Sequence, residues 1–374
     1  MQDTASATID LDAVRGNYEV VRALCPKSQI MAMVKCDAYG HGLLPVAKAL
    51  SEADGLAVAR LKDALALRAS GVEQRILLVG TLLDGAELAT CSRLDIDVTA
   101  YDEHSVSTIV SQARRTPLTV WLELDSGMRR LGLDVENFVL ASKELSRHAG
   151  IRELVHSSHF SHADEEDDSE TRTQLSLVAQ CRARIDEAIA LSVANSAALL
   201  RSDDFHADWV RPGIMLYGDN PVGMLKPLEL RTAMTLRSKV IAIRTLKAGD
   251  SVGYGGNWTA ERPSRIATVG LGYGDGYPRH APNGTPVWVN GRCALLAGRV
   301  SMDSLTIDVT DIEGCGVGDD VVLWGSELPV ASVAKYAGTI SYELLTSAGR
   351  RVRREYSGSI TRYEHERTRC HATN

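Results

Sequence analysis

The stretch QIMAMVKCDAYGHG, residues 29–42, joins an apolar run to a lysine and a glycine-bearing turn. A short apolar run bounded by turn residues is typical of a buried strand in a parallel sheet. Lys35 ends this run. Partial desolvation there would lower the pKa of its amine and make it a better nucleophile toward an aldehyde cofactor. The competing interpretation is a lysine whose stem is buried while its ammonium reaches water. Cys36, a small residue after the strand, is predicted to pack rather than react.

Seven more runs of this kind follow as far as about residue 218, with helical periodicity between them. They are GLAVARL (55–61), ILLVGT (76–81), IDVTAYD (96–102), LTVWLELD (118–125), IRELVHSSHF (151–160), LSVANSA (191–197) and DWVRPGIMLYG (208–218). The helical segments include LLPVAKALSEA (43–53), KDALALRAS (62–70) and QLSLVAQCRARIDEAIAL (174–191). Eight strand and helix repeats predict an α/β fold built on a closed (β/α)8 barrel of the TIM type. A doubly wound open sheet is the alternative, although no GxGxxG follows the first strand.

The residues that end these runs are polar, and a barrel would gather them on its C-terminal face. They include Lys35, Asp125, His159, Asn195, Ser196 and Arg211. After about residue 228 the pattern changes to strand-like runs separated by Gly, Pro and Asp turns. We therefore predict a barrel over 1–228 and a mainly β C-terminal domain over 229–374, with the first ten or so residues pairing with the latter.

Composition excludes several classes of function. The net charge of −7 carries no basic stripe for a nucleic acid, and no apolar run has the length that a bilayer requires. The start MQDTASATIDLD is polar and acidic rather than a signal peptide, so a cytoplasmic protein is expected. The seven cysteines lack metal-ligand spacing and are predicted to be reduced thiols.

The segment MAMVKCDAYGHG, residues 31–42, resembles the cofactor-lysine motif of alanine racemases. These are fold-type III enzymes with pyridoxal 5'-phosphate (PLP), a barrel and a C-terminal β domain. The resemblance continues in order through LELDSGMRRLGLD (122–134), SHFSHADE (158–165), VANSAA (193–198), RPGIMLYG (211–218), VGYGGNW (252–258), GLGYGDGYPR (270–279) and GRVSMDS (298–304). It implies racemisation of alanine, for D-alanine supply to peptidoglycan or for alanine catabolism.

The resemblance implies a role for two proton-transfer residues. Lys35 resembles the lysine that forms a Schiff base with PLP and serves one face of the substrate α-carbon. Tyr254 resembles the residue that serves the other face, contributed by the partner subunit of a head-to-tail homodimer. Racemisation requires proton exchange on both faces, so two such groups are a chemical necessity.

The resemblance also implies a set of cofactor-binding residues. Arg211 resembles the arginine that faces the pyridine nitrogen, and His159 extends a network with it. The phosphate donors are Tyr39, Ser196 and the amides of Gly213 and Ile214, with Asn195 beside them. Taken alone, these residues have plainer interpretations: a rim salt bridge for Arg211, a core histidine for His159, and strand-end packing or a helix cap for Tyr39 and Ser196.

The substrate carboxylate would be held by Arg130 and by the amide of Met302, according to the same resemblance. Arg129, next to Arg130, is expected to be solvated. Three further residues match supporting positions near the site: Tyr273, Arg299 and Asp303.

Two positions depart from the family pattern. Many members have, in place of Glu123, a lysine that becomes carbamylated to orient the substrate-binding arginine. We expect the Glu123 carboxylate to replace the carbamate and pair with Arg130, directly or through water. The plainer interpretation is that Glu123 points away. Arg350 stands where some relatives have an entrance tyrosine, and it is either a phosphate ligand or a surface charge, with Tyr356 filling part of the gap.

Other functions remain open on the sequence alone. Serine is the closest rival to alanine as substrate, because an apolar pocket rejects one added hydroxyl poorly. The same fold supports racemases of bulkier residues and decarboxylases of diamino acids. A non-catalytic PLP-binding protein is the alternative outside enzymes, but such proteins lack a C-terminal domain.

Overall fold

The computed structural model describes residues 4–185, 188–223, 227–349 and 351–358. Eight parallel strands close into a barrel, because the last of them pairs with the first through Gln29 with Trp209 and Ile30 with Val210. The barrel strands are β2 (Gln29–Met33), β3 (Gly55–Val58), β4 (Arg75–Leu78), β5 (Ile96–Ala100), β6 (Leu118–Leu124), β7 (Ile151–Ser158), β8 (Ala190–Asn195) and β9 (Trp209–Arg211). The predicted TIM-type barrel is confirmed, and each of the eight predicted runs supplies one strand.

Helices connect the barrel strands in sequence. They are α1 (Leu11–Leu24), α2 (Lys35–Tyr39), α3 (Leu43–Ala49), α4 (Leu61–Ala69), α5 (Gly85–Arg93), α6 (Glu103–Ala113), α7 (Val135–Arg147), α8 (Ser169–Arg182) and α9 (Ser196–Arg201). Their starts follow local chemistry: the side chain of Asp84 accepts from the amide of Glu87 at the start of α5, and Asp134 accepts from Asn137 at α7. The helix predicted over 174–191 is wrong at its end, since α8 stops at Arg182 and β8 begins at Ala190.

A second sheet, mainly antiparallel, follows the barrel. It contains β10 (Met234–Leu246), β13 (Ser264–Val269), β14 (Pro286–Val289), β15 (Arg292–Leu296), β16 (Leu305–Asp308), β17 (Asp320–Trp324) and β18 (Arg353–Ser357). A separate hairpin pairs β11 (Ser251–Val252) with β12 (Trp258–Thr259). Helices α10 (Val330–Ala337) and α11 (Ser341–Ser347) precede β18. The expected mainly β C-terminal part is confirmed.

The chain's first strand, β1 (Ser6–Asp10), belongs to this second sheet rather than to the barrel. It lies antiparallel to β10 and parallel to β18, so the two ends of the described chain meet in one sheet. None of the helices in the described part of the chain has the length and apolar character needed to cross a bilayer.

Candidate active site

A cavity of about 830 Å³ opens at the C-terminal ends of the barrel strands. Twelve of the residues singled out from the sequence line it: Lys35, Cys36, Tyr39, Glu123, Asp125, Arg130, His159, Asn195, Ser196, Arg211, Gly213 and Ile214. They lie at the C-terminal ends of β6, β8 and β9 or in the segments that directly follow β2, β6, β7, β8 and β9. Parallel strands in a barrel deliver their C-terminal ends to one face, which explains why residues far apart in sequence meet here.

The segment α2 is a left-handed turn after Lys35 rather than a right-handed α-helix. Four consecutive residues that are not glycine, 36–39, have φ between 53° and 56°, in the left-handed region. This conformation costs a residue with a side chain roughly 1–2 kcal/mol, so four in a row require support from their surroundings. Strain of this kind is kept where the geometry is over-determined, and here it lies directly beside the candidate lysine.

His41 supplies part of that support. Its Nδ1 lies 3.1 Å from the carbonyl oxygen of Ala38 and 2.9 Å from that of Tyr39, so Nδ1 carries the proton and donates it to them. Complete burial lowers the pKa of His41 to about 4, which keeps the ring neutral. The ring of Tyr217 packs on His41 and on Tyr39, at centroid distances of 4.5 and 4.8 Å. The turn is therefore held by the buried His41 and by the packed ring of Tyr217.

The electrostatic surroundings of Lys35 favour a neutral amine. Burial lowers its pKa, and the positive charges of Arg130 and Arg211 lower it further. A neutral amine is the nucleophilic form. Lys35 therefore has the position required to react with an aldehyde, and its pKa is shifted in the direction that favours the reaction.

Arg211 is buried and fixed by three contacts. Its Nη1 donates to Ser192 Oγ over 2.6 Å, and its Nη2 donates to the carbonyl oxygen of Ser158 over 2.7 Å. Nη2 also lies 3.4 Å from His159 Nδ1. Burial lowers the pKa of Arg211, while the charge of Glu123 acts in the opposite direction. An arginine keeps its proton in proteins, so the cavity wall carries a rigid positive charge.

The segments that follow β8 and β9 bring a hydroxyl group and backbone amides to the cavity. The Gly213 amide donates to Ser196 Oγ over 2.7 Å. A Cβ on Gly213 would lie 2.4 Å from Tyr39 Oη, so glycine alone leaves room between these groups. The helix cap is Asn195, whose side chain accepts from the Ala198 amide over 3.0 Å. Ser196 is thus not the cap, and its hydroxyl lies between the turn after β9 and the cavity.

Glu123 and Arg130 both line the cavity, but they are not in direct contact. Ser157 donates a hydrogen bond to Glu123 Oε2 over 2.5 Å. Among the ion pairs of the described residues, none joins Glu123 to Arg130. Asp125 shapes the loop that carries Arg130, accepting from the amides of Gly127 and Arg129. The Arg129 side chain is exposed, as expected.

The remaining predicted residues form a second group outside this cavity, on the surface of the C-terminal part. We call it the exposed cluster: Tyr254, Tyr273, Arg299, Met302 and Asp303. Tyr254 lies at the tip of the β11–β12 hairpin and is 68% exposed. Arg299 borders that tip, since a Cβ on Gly255 would come within 3.9 Å of its guanidinium carbon. The Gly274 amide donates a hydrogen bond to the Met302 carbonyl oxygen, so Tyr273 lies near Met302 and Asp303.

Several functional features were not anticipated. Tyr342 from α11 lines the cavity, and its ring lies 6.0 Å from that of Tyr39.

Cys36 is exposed and lines the cavity, so the prediction that it packs is wrong, because the left-handed turn leaves it outside the core. Tyr356 is not among the residues that line the cavity and packs against Gly42 instead. Arg350 lies outside the described residues.

Within the described ranges, no group of three or more His, Cys, Asp or Glu side chains is placed to hold a metal ion. The fold and the cavity together define the class of two-part barrel enzymes that present a lysine at the C-terminal face.

Comparisons with known proteins agree with this class. The family model for the alanine racemase N-terminal domain matches residues 9–221, and the model for the alanine racemase C-terminal domain matches residues 233–356. The chain belongs to the alanine racemase family.

Individual relatives cover nearly the whole chain. A biosynthetic alanine racemase of Pseudomonas aeruginosa is 46% identical over 355 residues, which are 94% of this chain and 98% of that protein. An alanine racemase of Vibrio atlanticus is 43% identical over 359 residues, 94% of this chain and 99% of that one.

Solved structures agree as well. The crystal structure of the Pseudomonas aeruginosa biosynthetic alanine racemase has a TM-score of 0.92 at 44% identity, over 96% of this chain and 100% of that one. An alanine racemase of Bartonella henselae with covalently bound pyridoxal phosphate has a TM-score of 0.87 at 31% identity, over 95% of this chain and 100% of that one.

Proposed function

We propose that this protein is an isomerase that interconverts L-alanine and D-alanine with PLP. The observation that carries the proposal is the position of Lys35, whose amine enters a cavity that also contains the buried Arg211. Family membership supplies the substrate and the cofactor. D-alanine formed in this way would serve peptidoglycan synthesis or alanine catabolism.

The residues present fit PLP. The narrow space at Gly213 beside Tyr39 and Ser196 suits a phosphate, because small and hydroxyl-bearing residues let backbone amides approach an anion. When bound, PLP supplies an aldehyde for a covalent bond to an amine and a conjugated ring that stabilises negative charge at the substrate α-carbon. Lys35 would hold it covalently, and Tyr39, Ser196, Asn195 and the amides of Gly213 and Ile214 would form the phosphate site.

Two residues move the α-proton. Lys35 removes or returns it on one face, helped by the lowered pKa of its amine. On the other face this is done by the partner subunit's Tyr254. The exposed cluster lies outside the cavity of its own chain, and its exposure supports this arrangement. A head-to-tail homodimer would bring each exposed cluster to the cavity of the other subunit.

Arg211 and His159 set the charge beside the ring of the cofactor. Arg211 retains its proton, so it would oppose protonation of the pyridine nitrogen and moderate the electron withdrawal of the ring. Burial lowers the pKa of His159 to about 3, so it adds no charge of its own. A moderate electron sink suits racemisation, since it limits side reactions such as transamination.

Substrate binding rests on Arg130, with the Met302 amide contributed from the partner subunit. Glu123 replaces the carbamylated lysine of many relatives and orients Arg130 through an intervening water, with Ser157 fixing the carboxylate. Tyr273, Arg299 and Asp303 support the entrance. Arg350 is a further candidate for phosphate binding.

We also propose a domain boundary at residues 228 and 229, and a cytoplasmic location for the enzyme. The two matched family regions, 9–221 and 233–356, and the composition of the chain support these proposals. The first residues would then pair with the C-terminal domain, as β1 does with β10 and β18.

The rate of conversion from L- to D-isomer, measured for alanine and for serine side by side with PLP, tests the proposed function. Lys35→Ala is the control. We expect faster turnover of alanine, abolished in the variant. Faster turnover of serine would assign a serine racemase, and no turnover of either would refute the proposed activity while leaving the fold intact.

A further inference from the structure

The strained turn after Lys35 is also held from outside the barrel, by β18. Arg354 Nη1 donates to Asp37 Oδ2 over 2.6 Å. The hydroxyl of Tyr356 lies against Gly42 so closely that a Cβ there would be 2.1 Å from Tyr356 Oη. Alternate residues of a strand share a face, so Arg354 and Tyr356 reach both ends of the turn from one face of β18.

Asp37 connects three parts of the structure. Its Oδ1 accepts from the Leu43 amide over 2.7 Å, at the start of α3, while its Oδ2 accepts from Arg354. The Asp37 side chain is 48% exposed and that of Arg354 only 24%, so water screens this ion pair incompletely. A charge-assisted hydrogen bond in such surroundings is stronger than one at an open surface.

The strand that carries Arg354 is itself anchored. β18 runs parallel to β1, with Glu355 opposite Thr8 and Tyr356 opposite Ile9. The position of Arg354 is therefore set by the second sheet, whereas Lys35 belongs to the barrel. Asp37 is two residues from Lys35 in the chain, and Cys36 and Tyr39 of the same turn line the cavity, so a movement at Asp37 is transmitted directly to the amine.

We propose that Asp37 and Arg354 form a positioning pair that holds the left-handed turn and so fixes the amine of Lys35 in the cavity. This inference rests on the proposed function of Lys35 as the PLP lysine. It makes the second sheet part of the cofactor site of its own subunit, in addition to the contribution proposed for the partner subunit.

The test uses two variants that remove the ion pair with little change of shape. Arg354→Met keeps most of the stem, and Asp37→Asn keeps an oxygen acceptor for the Leu43 amide. Arg353→Met is the matched control, since Arg353 lies on the opposite face of β18, is 64% exposed and pairs with Glu355. Two quantities are measured on the full chain: amide hydrogen exchange across residues 36–43, and the Kd for PLP from its visible absorbance.

We expect each pair variant to raise the Kd for PLP about tenfold and to speed exchange in residues 36–43. The pH midpoint of the PLP absorbance should also shift, because the amine is held less firmly. The Arg353→Met control should change none of these. The double variant should be no worse than either single variant, since both remove the same interaction.

Unchanged exchange and an unchanged Kd in both pair variants would overturn the proposal, as would effects that add in the double variant. If Arg354→Met does not fold, Asp37→Asn is the variant that tests the pair. Arg354→Lys keeps the positive charge and should then bind PLP with near-normal affinity. Borohydride reduction of the wild-type protein, followed by peptide mass spectrometry, shows separately whether Lys35 holds PLP. If it does not, the proposed function fails, and the exchange of residues 36–43 alone decides on the pair.

Discussion

Arg211 Nη2 lies 3.4 Å from His159 Nδ1 in the cavity wall. An arginine nitrogen is only a donor, so this nitrogen of His159 is the unprotonated one and the proton is on Nε2. Burial, together with the charges of Arg211, Arg130 and Lys35, lowers the pKa of His159 to about 3. The pair therefore keeps one permanent positive charge next to a neutral ring throughout the physiological pH range.

Replacing Arg211 should change both the rate and the outcome of the reaction. Arg211→Gln removes the charge that, in the proposed function, opposes protonation of the pyridine nitrogen. We expect alanine racemisation to fall about a hundredfold, as losses of a preorganised electrostatic contact do. The amount of pyruvate, the product of transamination, formed per racemisation event should rise. A variant with an unchanged product ratio would show that Arg211 does not face that nitrogen. Arg129→Gln, at an exposed position, is the control.

The space at Gly213 can be tested by steric substitution. In Gly213→Ala the new Cβ would lie 2.4 Å from Tyr39 Oη, and the displaced hydroxyl would disturb the phosphate site. We expect the Kd for PLP to rise at least about tenfold, in line with the loss of one charge-assisted hydrogen bond. Tyr39→Phe in the same chain removes the clashing atom and should recover part of the affinity relative to Gly213→Ala. Normal PLP binding by Gly213→Ala would argue against a phosphate here.

The Glu123 hypothesis predicts an enzyme that does not depend on carbon dioxide. Glu123→Gln should raise the KM for alanine several-fold with a smaller effect on kcat, because Arg130 loses its orienting charge. Glu123→Lys should regain activity when bicarbonate is added, as the lysine becomes carbamylated. The wild-type enzyme is the control, and its activity should not change when bicarbonate is added. An unchanged KM in Glu123→Gln would mean that Arg130 is oriented by other groups.

The fold was predictable because each barrel strand is a short apolar run ended by polar residues. The same pattern located Arg211, His159 and Ser196, since a parallel barrel gathers strand ends on one face. The left-handed turn was not predictable, because residues 36–39 include no glycine to indicate positive φ. Its conformation depends on the local hydrogen bonds of His41 and on tertiary contacts from Tyr217 and β18.

The contacts that fix the site residues could not be predicted from the sequence either. Ser158 and Ser192 hold Arg211, and nothing distinguishes them from other serines until the strands are paired. Tyr342 reaches the cavity from a helix about 300 positions after Lys35 in the chain. The exposed cluster was known only from the resemblance, because local patterns do not reveal a partner subunit.

A buried carboxyl at the other end of the barrel gives a prediction about pH and stability. Asp97 Oδ2 accepts from Arg75 Nε over 2.5 Å and from Trp121 Nε1 over 2.9 Å. Burial nevertheless raises the pKa of Asp97 to about 6, although Arg75 and Trp121 act to lower it. In the unfolded chain the pKa is about 4. Its contribution to stability is complete below that pH and is lost as the pH rises through 6.

Asp97→Asn should therefore gain thermal stability relative to the wild-type protein as the pH is raised from about 4 to about 7. Tm measured for both proteins across this range checks the sign. Asp95→Asn, at a carboxylate that is 72% exposed, is the control and should follow the wild type. If instead the Tm of the wild-type protein rises relative to that of the variant as the pH increases, the attraction of Asp97 to Arg75 outweighs the effect of burial.

The central claim, that alanine is racemised at a site built from Lys35 of one subunit and Tyr254 of its partner, is tested most directly by mixed dimers. Lys35→Ala and Tyr254→Phe subunits, each inactive alone, are coexpressed with different tags and the heterodimer is purified. One of its two sites then has both residues intact, so we predict about half the wild-type kcat for alanine. A heterodimer without activity, or a Tyr254→Phe homodimer with wild-type activity, would contradict the claim.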